Sequence, residues 1–185
     1  MKAVFDACVL YPTVLRQILI GVASAGLITP VWSTRLTEEW ARTAARLGGA
    51  ADDAMARAEI ARLNLGFPAA AVETDTQIEA RLWLPDPGDL HVLATAIAAG
   101  AEVIVTLNLR DFPIRETSPH GVRALHPDAV LTDLWLAHPE TVQQIVRDVH
   151  HAAEMLSGAD MPLRALMKRA RLPRLGKVLT REGAG

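Results

Sequence analysis

The sequence predicts an α/β domain built on a mostly parallel sheet. Short β-branched apolar runs alternate with segments of helical periodicity, the pattern of a parallel sheet with crossover helices. The most complete unit is residues 84–113, LPDPGDLHVLATAIAAGAEVIVTLNLRDFP, which reads as turn, helix, glycine stop, buried strand and acidic loop. Half of the 185 residues are hydrophobic, which suits one domain with a sizeable core. No internal repeat, low-complexity segment or interdomain linker breaks the pattern.

Residues 2–6 read as a first strand, with Asp6 at its carboxyl end. A helix follows over 13–25, with Leu15, Leu19 and Val22 pointing inward and Gly26 stopping it. Residues 27–32 form a second short strand, weakened by Pro30. Ser33 or Thr34 caps the next helix, whose apolar stripe is Leu36, Trp40 and Leu47. At about 100° per residue, Glu39 lies within about 60° of Leu36, whereas Glu38 is about 200° away. Glu39 is therefore expected to face the fold and Glu38 to face water. An inward carboxylate is costly unless paired or metal-bound, which makes Glu39 a site candidate.

Gly48 and Gly49 mark a bend, and residues 48–81 are expected to form a mostly helical hairpin over the sheet, with a strand edge at 70–72. Acids at 73, 75 and 79 read as a solvated face. In the central unit, Asp86 and Pro87 open a helix, and Leu90, Leu93, Ala94 and Ile97 share one face. Gly100 ends that helix in the left-handed conformation. Val103, Ile104, Val105 and Thr106 then make a strand covered on both faces. Residues 120–125 add a last strand, and Pro127 and Asp128 begin another helix. Pro139 opens a longer one over 140–156, with Val142, Ile145, Val146, Val149 and Met155 inward. The tail from Met161 is basic, and residues 182–185 are expected to be disordered.

Composition narrows the function. A lone cysteine, Cys8, excludes an internal disulfide framework and a cysteine-based zinc site. No apolar run reaches the roughly 18 residues of a membrane span, and the acid at Asp6 is unlike a signal peptide. A cytoplasmic protein is expected. A net charge of −2 gives no global attraction to nucleic acid, so such binding must use local patches or metal ions.

Four acids hold comparable places: Asp6 after the first strand, Glu39 on an inward face, Asp89 in the first turn of the central helix, and Asp111 after the central strand. Loops that follow parallel strands converge at one sheet edge, so these carboxylates can meet. Two unit charges about 4 Å apart repel by about 4 kcal/mol at an effective dielectric near 20. A hard divalent cation removes that cost, and oxygen-only ligation selects Mg²⁺ or Mn²⁺. Such an ion can activate water for in-line attack on phosphate. Plainer readings stand beside this one. Asp86 reads as an N-cap rather than a ligand. Asp89 reads equally as a complement to the helix dipole, and Asp111 equally as a turn residue. His91 reads as a packed or surface histidine, Cys8 as a small core residue, and the basic tail as a solvated face or an RNA contact.

The stretches VFDACVLYP, WSTRLTEEW, the whole of 84–113 and ALHPDAVL carry a resemblance. Through them the chain resembles a PIN-domain protein, of the kind found as the toxin ribonuclease of bacterial toxin–antitoxin pairs. The resemblance implies a three-layer α/β/α fold with a parallel sheet, one or two Mg²⁺ or Mn²⁺ ions, and metal-dependent cleavage of single-stranded RNA. It places the catalytic and metal-binding set on Asp6, Glu39, Asp89 and Asp111. Thr106 and Asn108 match the polar positions of its TxN segment and, with Ser33, are expected to support the site. Arg42 and Arg110 would hold the RNA backbone. Partners implied are RNA, an antitoxin protein and a second copy of the chain, with no membrane. Residues 1–128 are expected to be the catalytic domain, and 129–185 a helical extension packed on it.

Two departures qualify the resemblance. Many relatives have DxN after the first strand, but here Cys8 takes the third position, and it is expected to supply neither an amide ligand nor a supporting donor. Many also have Asp where Asn108 stands. Two other classes fit less of the chain. A PIN-like interaction module would need no turnover. An aspartyl-phosphate phosphohydrolase would need a second Asp where Cys8 stands.

Overall fold

The computed structural model describes residues 1–182. Within it the chain forms two compact units, one comprising Met1–Tyr11 and Thr29–Leu125, the other Pro12–Ile28 and the chain from His126 onward.

The first unit holds a five-stranded sheet. Its strands are β1 (Lys2–Phe5), β2 (Thr29–Ser33), β3 (Ala71–Val72), β4 (Val103–Val105) and β5 (Arg123–Leu125), in the order β3-β2-β1-β4-β5. Every pairing is parallel. Ala3, Val4, Phe5 and Val103–Val105 have no exposed surface, as expected of strands covered on both faces. Pro30 sits inside β2 because β3 reaches only Trp32 and Ser33, so the strand has no second neighbour at the proline. Strand order reverses direction at β1 and β4, and the crevice beyond the carboxyl ends of that pair is the favoured ligand position of such sheets.

Helix α1 (Ala7–Leu10) follows β1 directly, and α2 (Thr13–Ser24) belongs to the second unit. Helix α3 (Thr34–Gly66) is kinked at Gly49, where φ is 75° and ψ −160°. Arg57 donates to Glu38 at 2.9 and 3.1 Å. In a straight helix these residues would stand about 28 Å apart, so α3 folds back on itself at the kink. Glycine is required there, because a side chain strains a backbone with positive φ. The returning arm is fixed by Trp32, whose indole donates to Asn64 at 2.8 Å and meets the Phe67 ring edge-on at 6.0 Å. Two expectations about α3 change. Leu47 is 62 % exposed rather than inward, because the stripe ends with Ala44 before the bend. Glu38 and Glu39 are about equally exposed, at 36 % and 37 %; their partners, not their depth, distinguish them.

The acids expected on a solvated face are structural ties. Glu73 accepts from Thr34, Asp75 caps α4 (Thr76–Glu79) through Gln77 and Ile78, and Glu79 pairs with Arg35. Asp86 caps a 3-10 turn over Pro87–Asp89 by accepting from Gly88 N–H at 2.8 Å. Helix α5 (Leu90–Ala99) then runs to Gly100, which has φ 61°. It packs on β1, β2 and β4. His91, Val92, Leu93, Ala94, Thr95 and Ala96 are all buried, a wider face than the single expected stripe. A 3-10 turn over Leu109–Asp111 and α6 (Ile114–Thr117) lead into β5.

The second unit is helical: α2, α7 (Pro127–Ala137), α8 (Pro139–Ser157), α9 (Leu163–Arg169) and α10 (Pro173–Glu182). Leu15, Leu19 and Val22 are buried as expected. Val142, Val146 and Val149 are also buried, but Met155 is 71 % exposed. Buried Asp128 accepts from the N–H groups of Arg174 and Leu175 at 2.9 and 3.0 Å, capping α10 from 46 residues away. Helix α10 includes Glu182, against the expectation of disorder there; the rest of that expectation, residues 183–185, lies outside the described residues. No helix among the described residues is long and apolar enough to cross a membrane.

Candidate functional site

The carboxyl ends of β1 and β4 open onto a pocket of about 610 Å³ lined by Asp6, Cys8, Tyr11, Glu39, Asp89 and Asn108, among others. Asp6 is held there because it ends β1 and begins α1, with its backbone N–H donating to Val105 O across the sheet at 3.2 Å. Its side chain is 5 % exposed and makes no cap bond to α1. Instead Oδ2 accepts from the buried Thr106 hydroxyl at 2.6 Å and from the Cys8 thiol at 3.1 Å. Thr106 in turn accepts from Asn108 N–H at 3.0 Å, and Cys8 Sγ accepts from Leu107 N–H at 3.2 Å. Asp6, Cys8 and the turn after β4 are thus one hydrogen-bonded unit.

Cys8 corrects its expected role. Burial, and then the negative charge of Asp6, push its thiol up to about 12. It stays protonated and is a supporting donor to the carboxylate, which the sequence reading denied it.

Asp89 reaches the pocket from the first residue before α5, where its side chain makes no capping bond. Asp86 takes the cap of the preceding turn and leaves Asp89 uncommitted. Burial, followed by the charges of Asp6, Asp86 and Asp111, raises the Asp89 carboxyl from 3.8 to about 6. Glu39 approaches from α3, and its Oε1 lies 3.0 Å from His91 Nε2 and 3.6 Å from Arg35 Nε. His91 has no exposed surface, and neither ring nitrogen has a well-directed hydrogen bond. The 3.0 Å approach is therefore a close contact rather than a directed bond.

The remaining candidates separate. Asn108 lines the pocket, whereas Asp111 does not and acts on it through its charge. Asp111 lies 3.5 Å from Arg110, which is 90 % exposed. Arg42 lines the pocket and pairs with Glu38 at 3.4 Å. Ser33 does not line it; its hydroxyl accepts from Leu36 N–H at 3.2 Å and caps α3. Tyr11, unremarked in the sequence, is on the pocket wall. Its position five residues after Asp6, next to Pro12, was the available signal.

As placed, no three carboxylate, imidazole or thiol groups among the described residues stand close enough to hold one metal ion. The donors themselves are hard oxygens on a site of excess negative charge. Mg²⁺ commonly binds through one or two carboxylates and keeps several waters. The donor chemistry therefore suits a hard divalent cation.

A parallel sheet whose first strand ends in a buried aspartate, with further acids around one pocket, defines a class that comparison identifies. Residues 2–110 match the PIN domain, and the chain belongs to the PIN-domain family. Over 58 residues it is 43 % identical to a protein of Mycobacterium tuberculosis named "Putative ribonuclease VapC50". That stretch covers 31 % of this chain and 34 % of the relative, so the match spans about a third of the relative's length. No solved structure matches the chain.

Proposed function

We propose that the chain is a metal-dependent endoribonuclease that cleaves single-stranded RNA, the toxin of a toxin–antitoxin pair. The supporting observation is the Asp89 carboxyl, raised to about 6 by burial and by the acids around it. Burial of that charge, with repulsion from its neighbours, is a cost to the free protein that a bound cation offsets.

Mg²⁺ or Mn²⁺ suits the oxygen donors of Asp6 and Asp89. When bound, the ion supplies Lewis-acid stabilisation of the charge that develops on a phosphodiester. Thr106 and Cys8 fix the Asp6 carboxylate by donating to one of its oxygens. Arg35 and His91 hold Glu39 at the pocket, where it acts through water. Asp111 adds negative potential from outside. Asn108 in place of a carboxylate, together with that outlying position of Asp111, favours one ion over two. Arg42 offers a cation to the RNA backbone at the pocket wall, and Arg110 offers another from the neighbouring turn. Residues 1–128 carry the chemistry in this reading, and 129–185 form the helical extension. An antitoxin, a second copy of the chain and a cytoplasmic location complete the proposal.

The test is cleavage of single-stranded RNA by the purified protein with Mg²⁺, beside Asp6→Asn and Asp89→Asn. Cleavage is expected from the wild type alone. Equal cleavage by all three proteins ends the nuclease reading. Titration calorimetry separates it from an interaction module, since that module predicts no heat with millimolar Mg²⁺.

A further inference from the structure

Seven of the 19 lysines and arginines fall between residues 161 and 181, a stretch with no Asp or Glu. The structure gives that imbalance a shape. On α9, Arg164 and Lys168 are four residues apart and share a face; on α10, Arg174 and Lys177 are three apart and do the same. The two helices pack on each other, and their Leu166, Met167, Leu175 and Leu179 are buried. A Cβ on Gly176 would lie 2.7 Å from Met167 Cβ, so the approach is too close for any larger residue there. This packing sets both cation pairs around one groove of about 390 Å³, whose remaining lining residue is Pro173.

All four cations are exposed. None is in an ion pair among the described residues, in contrast to Arg35, Arg42, Arg57 and Arg62 of the first unit, which all pair with carboxylates. The nearest buried acid, Asp128, is occupied by the N–H groups at the start of α10. The turn between the helices holds Arg171 at φ 61°, where glycine would be less strained.

We propose that the α9–α10 groove binds the phosphodiester backbone of single-stranded RNA, using Arg164, Lys168, Arg174 and Lys177 against phosphate oxygens. The choice of RNA rests on the nuclease reading above. A membrane surface is disfavoured because a membrane-lying helix pairs its cations with an exposed apolar face, and here Leu166, Met167, Leu175 and Leu179 are buried, with α10 packed on both α7 and α9. The binding is independent of base sequence, since cations on phosphates position a strand without reading it.

The experiment is fluorescence anisotropy of a labelled single-stranded RNA with the full chain in EDTA, which suppresses cleavage, over a series of salt concentrations. The quadruple variant Arg164→Gln, Lys168→Gln, Arg174→Gln and Lys177→Gln is compared with wild type and with Arg81→Gln, an exposed cation of the first unit. Each lost phosphate contact removes about 0.7 from the slope of log K against log salt, so the quadruple variant is expected to lose about 3 and to bind at least tenfold more weakly at low salt. Arg81→Gln is expected to keep the wild-type slope. A quadruple variant that melts like wild type and retains its slope overturns the proposal. Polyglutamate that displaces RNA as effectively as polyuridylate also overturns it, by assigning the groove to an acidic protein. Failure of the two readings is distinguishable: RNA bound with the full slope but left intact in Mg²⁺ defeats the nuclease alone, whereas cleavage with an unchanged variant slope defeats the groove alone.

Discussion

Asp89→Asn should stabilise the metal-free protein at neutral pH, although it removes a residue placed at the centre of the site. Burial, with the charges of Asp6, Asp86 and Asp111, raises the Asp89 carboxyl from 3.8 to about 6. The folded state therefore holds its proton more tightly than the unfolded chain does. Stability falls as pH rises between those values, and the loss is complete above about 6. The full difference corresponds to about 3 kcal/mol. Asp89 is only half buried, and solvent screening reduces this to about 1–2 kcal/mol. Asparagine keeps the shape, removes the charge and breaks no capping bond, because the Asp89 side chain makes none. Urea denaturation in EDTA at about pH 7.5 and about pH 4 tests the reasoning. The variant should be more stable at the higher pH and equal to wild type at the lower. Mg²⁺ at a hundredfold excess over Kd should then raise wild type by about 2.7 kcal/mol and leave the variant nearly unmoved. A variant less stable than wild type at the higher pH, or a gap of one size at both, refutes the argument.

Other predictions follow from single contacts. Thr106→Val removes the 2.6 Å hydrogen bond to Asp6 and the acceptor for Asn108 N–H; a loss of about 1.5–3 kcal/mol is expected by urea denaturation, with Thr106→Ser recovering most of it. His91→Leu deletes a buried ring without directed hydrogen bonds, so melting should be unchanged or higher while RNA cleavage falls, with kcat more affected than KM; a marked drop in melting temperature would show that the ring is needed for folding instead. Gly176→Ala gains about 1 kcal/mol of helix propensity but drives a Cβ to 2.7 Å from Met167. Overpacking at about 1–3 kcal/mol outweighs that gain, and denaturation should show a net loss. Cys8, with its thiol pushed up to about 12, should be alkylated by iodoacetamide at about pH 8 roughly a thousandfold more slowly in the native protein than in urea; equal rates would mean that the thiol is not held as described.

The sheet was legible because its signals are local. The apolar runs 3–5 in β1 and 103–105 in β4 are short, buried and followed by polar residues, and Gly100 marks its helix end without any tertiary information. The expectations that changed depended on distant partners. Leu47 belongs to the stripe by periodicity alone, but the bend that begins two residues later takes it away from the core. Met155 was expected inward, but at about 100° per residue it lies roughly 120° off Val149, so its exposure follows from the helical period itself. The wide burial of α5 could not be read from one stripe, since it follows from packing on three strands at once.

The site shows the same division more sharply. Convergence of loops at one edge of a parallel sheet was expected to gather Asp6, Glu39, Asp89 and Asp111; the first three line one pocket, and Asp111 does not. The angle that selected Glu39 over Glu38 predicted a difference in depth that the structure does not show, although Glu39 does line the pocket. Both are equally open to solvent; Glu39 differs because a buried histidine 52 residues later stands 3.0 Å from it, and Glu38 because a folded-back helix returns Arg57 to it. Neither partner has a sequence signature. Cys8 makes the general point. Residue type alone suggested a thiol unable to assist a carboxylate, but the depth of burial and the charge of Asp6 keep it protonated, against the opposing hydrogen bonds with Thr106 and Leu107. A protonated thiol beside Asp6 leaves only oxygen donors in that cluster, and this is why, in the function proposed above, an oxygen-seeking cation suits the pocket better than a thiolate-seeking one.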